Sequence, residues 1–296
     1  MEPWSGGIRR RTLLTAVAVL PLGACTRAGV AAPAPAAAPA PVYDGRLADL
    51  ERRFDARVGV FAIDTGTGTT VAHRADERFA MCSTHKALVA GAITLRGDLD
   101  RRITYTWAEL VPYSPVTGTN VTAGMTLGQL CDAAVRHSDN TAANLLVREL
   151  GGPAAVTAFA RTLGDDVTRL GRTEPDLNEA TPGDPRDTTT PRAIAADLRA
   201  MALGPALPEA GRAALTGWLV GATTGAGRIR AGVPGGWTVG DKTGSGGYGT
   251  ANDIAVLWPP TGAPVVLAVL SSRPTQDATS DPALLAQATT IALAAL

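Results

Sequence analysis

Segments with strand character lie near the two ends of this chain and segments with helical character fill its middle. Any sheet it forms must therefore be assembled from residues far apart in sequence. The run from Val58 to Asp64 is apolar and β-branched, and Thr65 to Gly68 turns the chain into a second strand near Thr69 to His73. Strand patterns return only late, at Trp237 to Lys242, Ala251 to Trp258 and Pro264 to Ser271. Between them the periodicity is helical. Thr126 caps a helix from Leu127 to Arg136, Asn140 opens one to Leu150, and Thr190-Pro191 starts one towards Leu203. A long helix over Asp44 to Arg57 precedes the first strand, and one from Asp281-Pro282 nearly to Leu296 closes the chain. The pattern predicts an α/β (α+β) fold: a mainly antiparallel sheet flanked by terminal helices, joined to an all-helical part, with a groove where the two meet.

The first residues stand outside this fold. Arg9 to Arg11 precede the apolar run Leu13 to Leu22, which is too short to span a bilayer as a permanent helix and reads as an export segment over residues 1–25. The Arg pair has twin-arginine character, and Leu22 to Cys25 has the form of a lipoprotein cleavage box with Cys25 as the lipid-bearing residue. The alternative is a plain signal peptide cut nearby, with Cys25 discarded. Residues 26–42 are almost all Ala and Pro and form a spacer without core-forming capacity. The catalytic unit is then 43–296, its α/β part 43–77 and 229–296 and its helical part 78–228. With 45 % hydrophobic residues the chain has enough apolar content for a full core. Its net charge is zero and no basic stripe follows residue 30, which argues against a nucleic-acid partner. Cys82 and Cys131 could pair in an exported protein, or remain two buried thiols on helical apolar faces.

One constellation carries nucleophilic chemistry. Ser83 and Lys86 lie three residues apart, on one face if a helix starts at Ser83, so hydroxyl and amine can touch. A serine hydroxyl is a weak nucleophile until its proton is taken, and a partly desolvated lysine can take it. With eight serines and two lysines in the chain, this spacing arises by chance about once in twenty such sequences, so it needs company. Ser138-Asp139-Asn140 at a helix entrance, Lys242-Thr243-Gly244-Ser245 on a late strand, and Glu174 to Asn178 in a polar Pro- and Gly-rich loop supply it. The lysine census agrees: 25 arginines serve wherever else a cation is used, and the only two lysines are Lys86 and Lys242. Arginine stays protonated and cannot act as a base.

These four motifs, in this order and spacing, resemble class A serine β-lactamases, whose motif set they match from about Val42 to Leu296. The resemblance extends to Thr223 through Pro234, and it implies a small-molecule β-lactam substrate, no cofactor and a monomer. It also implies that Ser83 attacks the lactam carbonyl and that the backbone N–H groups of Ser83 and Ser245 form the oxyanion hole. Glu174 and Asn178 would hold the deacylating water, and Ser138 would relay a proton to the lactam nitrogen. Asn140 would bind the substrate side-chain amide. Lys242, Thr243 and Ser245 would hold its carboxylate with added charge from Arg228, and Tyr113 would wall the cleft. Either Lys86 or Glu174 could take the first proton. Arg172 and Asp187 stand where the family pins its catalytic loop with an ion pair.

Two readings compete with hydrolysis: a peptidoglycan D,D-carboxypeptidase and a β-lactam sensor that acylates without turnover. Glu174 argues for hydrolysis, since a stalled acyl-enzyme is one lacking a base for its water. The family's frequent disulfide from Cys131 would need a partner at Ala90, and a bridge from Cys82 would need one near Gly246, so both are expected to be absent. His73, His85 and His137 have no metal-ligand spacing, and packing roles are expected for His85 and His137.

Overall fold

The run from Val58 to Asp64 forms strand β1 (Arg57–Asp64), which turns back into β2 (Thr70–His73). The late strands are β3 (Thr238–Gly246), β4 (Thr250–Trp258) and β5 (Val265–Ser272). They make one antiparallel sheet in the order β2-β1-β5-β4-β3. The computed structural model describes Met1 and residues 42–296. The export segment with Cys25 and the Ala/Pro-rich stretch otherwise lie outside the described residues.

Helix α1 (Val42–Phe54) starts at the last residue assigned to the spacer and ends short of Arg57. The reason is local: Asp55 adopts φ 45°, in the left-handed region, and Glu51 accepts the amide of Val58 across the turn. Leu47, Leu50 and Phe54 share one face of α1 and pack with the closing helix on one side of the sheet. That closing helix, Pro282–Leu293, stops three residues before the C-terminus. Its side of the sheet takes Leu267 and Val269 from β5, while Val266, Ala268 and Leu270 point into the opposite core. Both faces of β5 are covered, and this is why its sequence is apolar throughout rather than alternating.

The helical block runs as α2 (His85–Arg96), α3 (Leu127–Arg136), α4 (Asn140–Leu150), α5 (Pro153–Thr162), α6 (Pro191–Ala202) and α7 (Glu209–Val220). Of these, α3 has the predicted Thr126 cap, with Gln129 completing a capping box. Helix α2 is buried on all sides from His85 to Thr94 and is the core of the block. Gly91 lets α6 approach, since a Cβ there would overlap Met201 Sδ. The segment carrying Ser83 thus leads into an element buried over its first ten residues.

Strand β3 is an edge of the sheet and runs through Gly246, four residues beyond the predicted end. Its outer side meets the turn before α2, so the last motif lies on a rigid strand rather than on a loop.

Candidate active site

The chain enters α2 through a single 3-10 turn, Cys82–Thr84, not through an α-helix starting at Ser83. Cys82 adopts φ 45°, a conformation unfavourable for a side-chain-bearing residue, and Ser138 and Tyr113 share it at φ 56° and 63°. The i,i+3 relation survives the change of helix type. Lys86 Nζ donates to Ser83 Oγ at 2.9 Å.

Two of the expected residues, Lys86 and Glu174, meet at that hydroxyl. Ser83 Oγ donates to Glu174 Oε1 at 3.1 Å, and Lys86 Nζ lies 2.9 Å from the same oxygen, with both charged side chains fully buried. The lysine also donates to Ser138 O at 2.7 Å, Ser138 Oγ at 3.3 Å and Asn140 Oδ1 at 2.6 Å. An ammonium has three N–H donors, so five acceptors around one nitrogen leave it able to exchange partners at little cost. On the far side Lys242 Nζ reaches Ser138 Oγ at 3.0 Å and Thr243 O at 2.8 Å. Ser138 therefore bridges the two lysines.

The residues expected to meet substrate lie along and beside β3. Ser245 is exposed and accepts Arg228 Nη2 at 2.6 Å, while Arg228 Nη1 donates to the carbonyls of Gly244 and Asn252, each at 2.7 Å. Thr243 pairs its hydroxyl with Thr224 at 2.6 Å. Tyr113 stands at the rim with 61 % of its surface exposed, and its carbonyl accepts the amide of Asn140.

Burial drives the electrostatics. Desolvation lowers the pKa of Lys86 against the pull of Glu174, and it lowers Lys242 further, with the charge of Lys86 adding to the effect. Burial alone would raise Glu174, but the charge of Lys86 and the hydrogen bonds from Lys86 and Asn178 hold it below the usual carboxylate value. Burial thus lowers both amines while the carboxylate stays ionised; Lys86 and Glu174 meet at the Ser83 hydroxyl, and Lys86 and Lys242 at that of Ser138. That is the arrangement a serine acyl transfer needs.

Glu174 is held by its loop. The loop carries one 3-10 turn, Asp176–Asn178, and Asn178 Nδ2 donates to Glu174 Oε2. Arg172 Nε pairs with Asp187 Oδ2 at 2.6 Å, and Asp187 Oδ1 accepts the amides of Gly171 and Arg172 at 2.8 and 3.0 Å, closing the loop at its neck. Asn178 O accepts Gly247 N at 2.9 Å, which ties the loop to the end of β3.

Comparison with known proteins agrees with this geometry. A family model described as "Beta-lactamase enzyme family" matches residues 44–296. The chain belongs to that family. A β-lactamase named AST-1 from Nocardia asteroides is 54 % identical over 99 % of this chain and 98 % of its own length. A β-lactamase of Mycobacterium tuberculosis is 52 % identical over 96 % of each. Among solved structures, an ancestral class A β-lactamase has a TM-score of 0.83 at 55 % identity, covering 86 % of this chain and all of its own. A β-lactamase from Desulfarculus baarsii has the same TM-score at 56 % identity, covering 84 % and 95 %. With the serine, its lysine and the carboxylate in contact, the protein is a class A serine β-lactamase.

Several residues of this β-lactamase escaped the sequence reading. Asn144 exchanges two hydrogen bonds with the main chain of Glu174, donating to its carbonyl at 2.8 Å and accepting its amide at 2.9 Å. Its place one helical turn after Asn140 was the available signal. Asp139, inside a recognised motif, caps α4 and also accepts the amides of Val116 and Thr117. Asn252 gave no local signal. Cys82 and Cys131 are both free and buried, and Gly246 stands against Cys82, where a Cβ would come within 2.7 Å of its Sγ. His85 is buried, bonded through Nδ1 to Cys82 O at 2.9 Å, and lowered by burial to about 4, so it packs as a neutral ring at ordinary pH.

Proposed function

We infer that this enzyme opens β-lactam rings through an ester on Ser83 and discharges that ester with water deprotonated by Glu174. The observation that carries the reading is the contact of Ser83 Oγ with Lys86 Nζ and Glu174 Oε1 together. In acylation the Ser83 proton passes to this pair as the Oγ–carbonyl bond forms. The lactam C–N bond then breaks, and Ser138 delivers a proton to the departing nitrogen from the lysine side. The N–H groups of Ser83 and Ser245 stabilise the oxyanion, each worth about 3–4 kcal/mol in comparable sites. In deacylation Glu174, held by Asn178, takes a proton from water, whose oxygen attacks the ester carbonyl, and Ser83 recovers its hydrogen. Lys242, Thr243, Ser245 and Arg228 receive the substrate carboxylate, Asn140 its side-chain amide, and Tyr113 covers one wall.

The substrates proposed are penicillins and cephalosporins. The test is nitrocefin turnover by the purified enzyme, with Ser83→Ala and Glu174→Ala as controls; no turnover by the native enzyme ends the reading. Export through residues 1–25, a lipid on Cys25 and a monomer working outside the cytoplasm complete the proposal, supported by the basic, apolar and Leu22-to-Cys25 segments. The mass of the mature N-terminus from a membrane fraction checks the lipid, and light scattering checks the monomer.

A further inference from the structure

We propose that Asn252 is a positioning residue for the oxyanion hole, its side-chain amide tying the turn before Ser83 to the sheet that carries Ser245. The proposal rests on acylation of Ser83 as set out above. The two N–H donors belong to separately held segments: Ser83 sits on the 3-10 turn, whereas Ser245 is on β3. An oxyanion gains from both only if they converge at about 2.7–3.1 Å from one point, so something must fix the turn relative to the strand.

Asn252 does this from β4, between Gly244 on β3 and Leu270 on β5. It is fully buried, and its own side chain is fixed because Oδ1 accepts Ser271 N at 3.1 Å. That contact leaves Nδ2 aimed at the turn, where it donates to Ala80 O at 2.7 Å and Met81 O at 3.2 Å. Met81 O also closes the turn locally by accepting Thr84 N and Thr84 Oγ1. The same carbonyl thus sets the internal geometry of the turn and, through Asn252, its position against the sheet. The fit is close: a Cβ on Gly244 would lie 2.8 Å from Met81 O and 3.2 Å from Ser83 N. The Asn252 carbonyl shares Arg228 Nη1 with Gly244 O, so one residue spans the nucleophile turn and the arginine assigned to the substrate carboxylate. Cys82 at φ 45° has no intrinsic preference for holding Ser83 N in place, so the external tie matters.

The experiment uses full-length enzyme with Asn252→Ala and Asn252→Asp. Acylation and deacylation rates are normalised to titrated active sites, and the affinity for a boronic acid transition-state analogue is measured beside melting temperature. Because misplacement by about 1 Å costs on the order of 100-fold, Asn252→Ala should slow both steps about 10–100-fold. It should weaken the boronate by a similar factor, with the acid limb of the pH profile unmoved. An ionised carboxylate in place of the amide has no hydrogen to give the carbonyls, so Asn252→Asp should regain rate as pH falls and the carboxyl protonates. Wild type and the alanine variant should lack that limb. Wild-type rates per active site and wild-type boronate affinity in Asn252→Ala would overturn the proposal, whatever happens to melting. If the alanine variant does not fold, the absence of the new limb in Asn252→Asp overturns it instead. Failure of the native enzyme to acylate at all strikes the underlying reading, and this proposal with it.

Discussion

Replacing Asp197 by asparagine should stabilise this protein at neutral pH. Asp197 lies on α6, almost fully buried, against Asp165, which follows α5 close to the neck of the Glu174 loop. Both Asp197 oxygens and Asp165 Oδ2 find no donor among the described residues, so one proton shared between the two carboxyls is what satisfies the contact. Asp165 is held ionised against burial by the hydroxyl and amide of Thr168 and the amide of Val167. Burial and then the charge of Asp165 raise Asp197 to about 9. In the unfolded chain Asp197 returns to about 3.9. Between these values the folded state holds a proton that the unfolded state has lost. Stability from this group therefore falls as pH rises through the window and levels off above about 9. The ceiling is about 1.4 kcal/mol per pH unit, hence about 4 kcal/mol at pH 7, and protein relaxation reduces it to about 1–3 kcal/mol. An asparagine amide donates to Asp165 without having to bind a proton. For a domain of this size the gain corresponds to about 3–10 °C in melting temperature. Calorimetry on both proteins should show them converging near pH 4 and separating steadily towards pH 9. Lower stability of the Asp197→Asn variant at pH 7, or a difference that does not change with pH, refutes the shared proton.

Other outcomes follow from the site. Glu174→Gln should acylate and then stall, leaving a persistent adduct by mass spectrometry and lowering steady-state turnover about 10²–10⁴-fold. Asp187→Ala removes three accepted hydrogen bonds and one of the two carboxylate partners of Arg172, which keeps Glu179, costing about 2–4 kcal/mol by chemical denaturation, with deacylation slowed more than acylation. In Gly246→Ala the new Cβ would lie 2.6 Å from Asn178 O and 2.7 Å from Cys82 Sγ. It should push the Glu174 loop off β3, and single-turnover kinetics should show slowed ester hydrolysis. Because Glu174 is held below its ordinary value of 4.5, turnover should persist as pH falls through 4.5, and an acid limb at or above that value would contradict the ion pair with Lys86.

The chemistry was legible in the sequence because it depends on residue type. Two lysines in an arginine-rich chain mark the places where a compact, deprotonable amine is needed, and Ser83 lies one helical turn from the first. The strand and helix segments were legible for a similar reason: alternation, β-branching and caps such as Thr126 act within a few residues. What the sequence could not carry was distance. Glu174 meets Ser83 from 91 positions away, Asn144 holds the main chain of Glu174, and Asn252 reaches carbonyls more than 170 residues before it. Glu174 has its motif and Asn144 its place one turn after Asn140, but Asn252 leaves no local pattern, because an amide is the same residue on a solvated loop as in a buried contact. The extension of β3 to Gly246 was likewise settled by its pairing with β4 rather than by propensity. Sequence determined which groups could react; only the packing of the other helices around α2, and of the turn before it against β3, removed water from them, and desolvation is what shifts a buried lysine away from its ordinary protonation.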